Sequence, residues 1–207
     1  GATVFEALLA CPRHQVVGLV TKPDRPRGRG MKVEPSPMVL AAQARGIPVL
    51  QPERARGEEF LTALAAWQPD VLLVASYGEI LRQDVLDLAP LGAWNVHASL
   101  LPRWRGASPI QAAVLAGDAE TGVCVQKMVL ALDEGPLVHT VRTPIGARET
   151  SGDLYTRLAV LGGDAAVATL DLLAGGHAVL QPQDATQATF ATKIKKEHGL
   201  VDWTKSA

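Results

Sequence analysis

Cysteine is scarce in this 207-residue chain: there are two, Cys11 and Cys124, and they stand alone. Neither belongs to a C-x-x-C pair or to a Cys/His spacing that would hold zinc, which excludes a disulfide framework and a zinc ribbon. Two isolated thiols fit a reducing cytoplasm, with both expected as buried packing residues. Excess charge is lacking too. The formal net charge is -1, so bulk electrostatics do not announce a nucleic-acid partner. No apolar run is long enough to span a membrane, and Gly1 to Ala10 show neither a basic n-region nor a cleavage pattern. G-x-S-x-G, G-x-G-x-x-G and G-x-x-x-x-G-K-[ST] are all missing, which removes the serine-elbow hydrolases and the usual dinucleotide and P-loop signatures.

What is present reads as globular, with 47% hydrophobic and 20% charged residues. Short β-branched runs alternate with longer helical patterns, which predicts an α/β domain with a mostly parallel sheet. Strands are expected at residues 15–21, 47–50, 70–76, 92–99, 122–128 and 137–143. Helices are expected at 3–10, 38–46, 57–67, 80–88 and 108–116. A further helix, capped by Ser151 and broken near Gly162, is expected to run to Ala174. The stretch from Pro23 to Pro37 is proline- and glycine-bearing and reads as a loop. Domains of this kind normally open on a strand, whereas this chain opens on a helix, so a first strand is expected to be missing.

Asn95 and His97 lie two apart on a predicted strand and so share a face. They stand just before a loop, at the end of a strand, where open α/β sheets bind ligands. An amide donor and an imidazole there suit addition to a carbonyl, one stabilising an oxyanion and the other managing protons. The pair alone does not separate that chemistry from a polar strand end whose histidine is merely hydrogen-bonded. Asp133 lies in a predicted turn, where aspartate is common. If the fold brings it to His97, it can orient the ring and favour its protonated form. Asp118 and Glu120 follow Gly117 at a helix end and read as solvated turn residues; no metal is expected. His14, His139, His177 and His198 lack ligand spacing. From Lys22 to Lys32, five basic residues (Lys22, Arg25, Arg27, Arg29, Lys32) accompany one acid, Asp24.

The string NVHASLLPRWRGASPIQAAVLAGDAETGV, from Asn95 to Val123, resembles the signature of the folate-dependent formyltransferases: an N-x-H pair, then S-L-L-P and a glycine. Its R-W-R-G-A-S-P-I-Q portion is most similar to the members that act on methionyl-tRNA. Further matches follow in family order: TKPDRPRGRGMK (residues 21–32), VASYGEIL (74–81), LDEG (132–135), TSGDLYTRLAVLG (150–162) and KIKKEHGLVDWTKSA (193–207).

The resemblance implies a Rossmann-like fold, a mostly parallel sheet with helices on both faces, together with a 10-formyltetrahydrofolate donor and catalytic roles for Asn95, His97 and Asp133. It implies folate contacts from Tyr77, Ile80, Ser99, Leu100, Leu101, Pro102 and Leu132. It implies that initiator methionyl-tRNA is the partner, met by Arg25, Arg27, Arg29 and Lys32, with Arg29 the principal arginine. It also implies a catalytic domain over residues 1–190, a linker beginning at 191–207, a second domain absent from this chain, and a monomeric cytoplasmic enzyme. Departures from the family pattern are the lost opening strand, Arg27 in place of a small residue, and Lys127 where glutamine is expected. Two rivals stand beside this reading. One is another formyl-folate enzyme, acting on a nucleotide sugar, on glycinamide ribonucleotide or on water. The other is a non-catalytic tRNA- or folate-binding fragment.

Overall fold

The computed structural model describes residues 1–27, 32–200 and 203–204. Helix α1 (Ala2–Ala10) opens the chain. Short strands β1 (Leu19–Val20), β2 (Pro26–Arg27) and β3 (Lys32–Val33) follow. Helix α2 (Pro37–Gln43) starts on Ser36, whose hydroxyl accepts the Val39 N–H, with proline at the first turn where no N–H is needed. Next come β4 (Val49–Leu50), α3 (Glu58–Ala65), β5 (Leu72–Val74), α4 (Gln83–Leu86) and β6 (Ala93–His97). The chain continues through β7 (Arg105–Gly106), α5 (Pro109–Leu115), β8 (Glu120–Lys127), β9 (Leu137–Pro144), α6 (Ser151–Ala174) and β10 (Phe190–Ala191).

The main sheet has the order β5-β6-β8-β9. Strands β5 and β6 are parallel, while β6–β8 and β8–β9 are antiparallel, so the sheet is mixed and its parallel part lies on the β5 side. Period-two alternation sends neighbouring side chains to opposite faces. Leu72 and Ala93 join Phe60 and Leu64 of α3 and Val85 and Leu86 of α4. Leu73 and Trp94 join Ile110 of α5 and Leu154, Leu158 and Ala165 of α6. Helices therefore cover both faces, as an α/β sheet with two hydrophobic sides requires. Burying one such leucine contributes roughly 1.5–3 kcal/mol.

Strands β1 and β4 form a separate parallel pair. Between that pair and the main sheet lies an apolar cavity of about 230 Å³, lined by residues 17–20 on one side and 72–75 on the other.

Three expectations are revised. The helix at 151–174 is unbroken, because Gly162 and Gly163 are both buried in it. A Cβ on Gly163 would stand 2.8 Å from the Ala7 Cβ of α1, so the glycines let two helices approach rather than end one. Its cap is Thr150, one residue before Ser151: the Thr150 hydroxyl accepts the Asp153 N–H, and the Asp153 carboxylate accepts the Thr150 N–H. Within the expected loop, β2 and β3 pair antiparallel with Arg27 opposite Lys32. Among the described residues no helix is long and apolar enough to cross a membrane.

Candidate active site

Asn95 and His97 project from the same face of β6 near its carboxyl end, with Gln126 directly opposite Asn95 on β8 and Cys124 opposite His97. Asp133 arrives from the β8–β9 connection. Its Oδ1 accepts the Gln126 Nε2–H at 2.7 Å and the Asn95 Nδ2–H at 3.4 Å, and its Oδ2 accepts the Gly106 backbone N–H at 2.8 Å. The same Oδ1 lies 3.7 Å from His97 Nδ1, with the two side chains only 6% and 11% exposed. The three residues singled out in the sequence thus meet at one place. Asp133 reaches it with φ at +52°, a left-handed conformation that aspartate tolerates better than most residues.

The other nitrogen of His97, Nε2, is 3.0 Å from the Trp104 carbonyl oxygen. A carbonyl only accepts, so Nε2 carries the hydrogen and Nδ1 faces the Asp133 carboxylate. Trp104 is itself held from several sides. Its N–H donates to Thr189 Oγ1 at 2.9 Å and its indole Nε1–H to Asp118 Oδ2 at 2.7 Å. Asp118 also takes two hydrogen bonds from Arg103, whose guanidinium stacks 4.4 Å from the indole centroid. Arg103, and then the indole N–H, hold the Asp118 carboxyl below its ordinary value. Asp118 is therefore an anchor rather than the solvated turn residue expected, while Glu120 pairs with Arg142 at the surface.

Sequence reasoning missed Gln126, Arg105 and Gln183. Gln126 is 2% exposed at the end of an otherwise apolar strand, and an amide inside such a strand was the available signal. Lys127, where a glutamine was expected, is exposed, and its neighbour Gln126 is the residue that faces Asp133. Arg105 is 3% exposed and pairs with Glu134 Oε1 at 3.0 Å. Cys124 sits beside His97 on the neighbouring strand with its thiol pushed up by burial, so it is a packing residue and not a ready nucleophile.

The residues expected at the folate divide by exposure. Ser99 is fully buried and donates its hydroxyl to the Arg103 carbonyl at 2.6 Å, which makes it a loop staple. Leu101 is buried, Leu100 and Pro102 are half-buried, and a Cβ on Gly122 would meet Leu100 at 2.6 Å. Tyr77 packs against the α3–α4 core and lines the large cavity beside β5; burial, then Glu79, pushes its phenol up to about 12. Ile80 and Leu132 are exposed, at 82% and 54%. Beside the triad, a small pocket of about 20 Å³ is lined by Gln126, Met128, Val129, Ala131 and Asp133.

In the basic segment, Lys22 reaches the Gly78 carbonyl at 3.4 Å and Arg25 is exposed. Arg27 and Lys32 are described as paired backbone, and Arg29 lies outside the described residues. Among the described residues no group of three His, Cys, Asp or Glu is placed to hold a metal.

A Rossmann-like sheet ending in an amide, an imidazole and a shared carboxylate defines an α/β domain whose site suits attack on a carbonyl. Comparison with known proteins narrows this. The family model described as formyl transferase matches residues 4–170. The methionyl-tRNA formyltransferase of Xanthomonas campestris pv. campestris strain 8004 is 51% identical over 199 residues, covering 96% of this chain and 65% of that protein. That of Marinobacter nauticus is 47% identical over 206 residues, covering 100% of this chain and 66% of that protein. The chain thus spans less than two thirds of the length of these relatives. Among solved structures, glycinamide ribonucleotide transformylase 1 from Symbiobacterium toebii superposes with a TM-score of 0.71 at 22% identity, covering 88% of this chain and 90% of that one. An N-formyltransferase from Helicobacter canadensis superposes with a TM-score of 0.66 at 16% identity, covering 93% and 66%. The chain belongs to the formyl transferase family.

Proposed function

We propose that this chain carries the catalytic site of an enzyme that moves a formyl group from 10-formyltetrahydrofolate to the α-amino group of initiator methionyl-tRNA. The observation that carries the reading is the convergence of Asn95, His97 and Asp133, with His97 Nδ1 and Asn95 Nδ2 both turned to Asp133 Oδ1 at 3.7 and 3.4 Å. Family membership and about half identity to curated methionyl-tRNA formyltransferases support the choice of acceptor.

Both donor and acceptor are substrates. The acceptor amine must be neutral to attack. Its nitrogen bonds to the formyl carbon, and the formyl oxygen gains negative charge. Asn95 Nδ2 has two hydrogens, one engaged by Asp133, and the other donates to that oxygen. As the carbon–nitrogen bond to folate breaks, a proton must travel from the incoming amine to the departing nitrogen. His97 Nδ1 accepts it on one side and returns it on the other, while Trp104 holds the far end of the ring. Asp133 stabilises the imidazolium that forms in between. This chemistry calls for no metal.

In this reading the folate lies near residues 74–81, at and after the end of β5, and the 129–136 turn. The exposed Ile80 and Leu132 offer apolar surface there, with Tyr77 behind. Ser99, Leu100, Leu101 and Pro102 shape the wall from within. Arg25, Arg27, Arg29 and Lys32 meet phosphates of the tRNA, where planar guanidinium forks suit phosphate oxygens. The enzyme acts as a cytoplasmic monomer.

The test is substrate competition in the full-length protein. Formyl transfer to initiator methionyl-tRNA is expected to exceed transfer to an amino nucleotide sugar, to glycinamide ribonucleotide or to water. Preference for any of those three overturns the acceptor assignment, and binding of both substrates without transfer overturns the catalytic one.

A further inference from the structure

We propose that Gln183 is a positioning residue for formyl transfer, acting by clamping the turn that presents Asp133. The inference rests on Asp133 being the carboxylate that orients His97. It concerns a residue beyond the 4–170 segment that the family model matches.

The turn needs holding. Asp133 sits at φ +52°, a conformation that costs energy in any residue with a side chain. Its carboxylate must stay near His97 Nδ1 although the turn lies at the surface, with Leu132 54% exposed. Gln183 meets this need with both ends of its amide. Its Nε2 donates to the carbonyls of Asp133 at 2.9 Å and Gly135 at 2.7 Å, on the two sides of the turn, with Gln126 Oε1 farther off at 3.4 Å. Its Oε1 accepts from Arg105 Nε at 3.2 Å and Nη2 at 3.0 Å. Arg105, 3% exposed, turns its remaining Nη1 to Glu134 at 3.0 Å. Three consecutive residues, Asp133, Glu134 and Gly135, are thereby gripped by one amide and one guanidinium. The segment bearing Gln183 is brought there by reciprocal backbone hydrogen bonds between Gln181 and Leu137, each 2.8 Å.

Neither Gln183 nor Arg105 is assigned a substrate contact in the proposed mechanism. Their consequence is geometric: releasing the turn lets the Asp133 carboxylate swing away from His97, and Leu132 beside it loses the same support. A misplacement of about 1 Å at a catalytic group can cost on the order of 100-fold in rate.

Gln183→Glu removes the clamp, because it keeps the side-chain length and an oxygen for Arg105 but has no N–H for the two carbonyls, and Gln183→Ala removes it without adding a charge. In full-length protein, kcat for methionyl-tRNA formylation is expected to fall roughly 10- to 100-fold. KM for methionyl-tRNA should stay within about twofold, and KM for the folate, which lies against this turn, should change by less than kcat does. Gln183→Ala should match it, and should Gln183→Ala fail to fold, Gln183→Glu still decides. Asp133→Asn is assayed alongside. If Asp133→Asn is inactive while Gln183→Glu keeps wild-type kcat, the clamp is wrong and the catalytic reading stands. If Asp133→Asn itself keeps wild-type kcat, both fall. Loss through KM alone would mean that Gln183 serves binding and would overturn its positioning role.

Discussion

His97 hangs from the backbone carbonyl of Trp104, its Nε2–H donated over 3.0 Å, and this fixes which ring nitrogen can do chemistry. Trp104 holds that carbonyl at φ +62°, a conformation few tryptophans adopt, and the indole is tethered to Asp118. Whenever the ring is neutral, nitrogen NMR of the labelled histidine is expected to show Nε2 protonated and Nδ1 bare. The opposite tautomer would remove Nδ1 as the proton acceptor.

Asp118 should matter in acid. Its carboxyl is held below its ordinary 3.8, first by Arg103 and then by the Trp104 indole. A depressed folded value means the stabilisation is fully present above the unfolded value and is lost as pH falls through the folded one. Wild type should therefore be more stable than Asp118→Asn at pH about 6, by about 1 kcal/mol once screening of the half-exposed Arg103 is allowed for. That gap should begin to narrow as pH falls below about 4 and close only once pH is below the depressed folded value. Chemical denaturation at pH about 6 and stepwise through the acid range checks this, and a gap independent of pH would contradict it.

Gly135 is fixed by sterics rather than by its own φ. A Cβ there would overlap the Lys127 carbonyl, a backbone atom that cannot move aside cheaply. Gly135→Ala is expected to cost on the order of 1–3 kcal/mol or more, and to reduce turnover by displacing Asp133. Thermal melting and single-turnover rates measured together would show both losses.

The basic segment at residues 22–32 should act on one substrate only. Arg29→Ala is expected to raise KM for tRNA about tenfold or more and to leave KM for the folate within about twofold. Each phosphate left without its cationic partner should flatten the salt dependence of tRNA binding by about 0.9 in the log–log slope. Equal effects on both substrates would count against the segment as an RNA-binding element.

Much of this was legible in the chain itself. The alternation of β-branched runs and helical patterns pointed to the α/β architecture. The spacing of Asn95 and His97 put them on one strand face, where β6 carries them. That Asp133 joins them came from family likeness, since a turn aspartate carries no address for a partner on a strand 38 residues away. The network around the triad was not legible, because its bonds are long-range and many end on backbone atoms: Trp104 on His97, Gly106 on Asp133, Gln183 on two carbonyls. Apart from proline, every position carries the same main-chain donor and acceptor, so no residue letter marks them. Gly162 misled for a related reason. A glycine that ends a helix and one that lets another helix approach read alike until the partner, here α1, is known.

The central claim is that Asn95, His97 and Asp133 form one catalytic unit for formyl transfer. Single-turnover formylation of initiator methionyl-tRNA by full-length Asn95→Ala and His97→Ala proteins, with folate binding confirmed for each, tests it most directly. The account predicts a fall of about 100- to 1,000-fold for the first and about 100- to 10,000-fold for the second. Near-normal rates in either variant would contradict it.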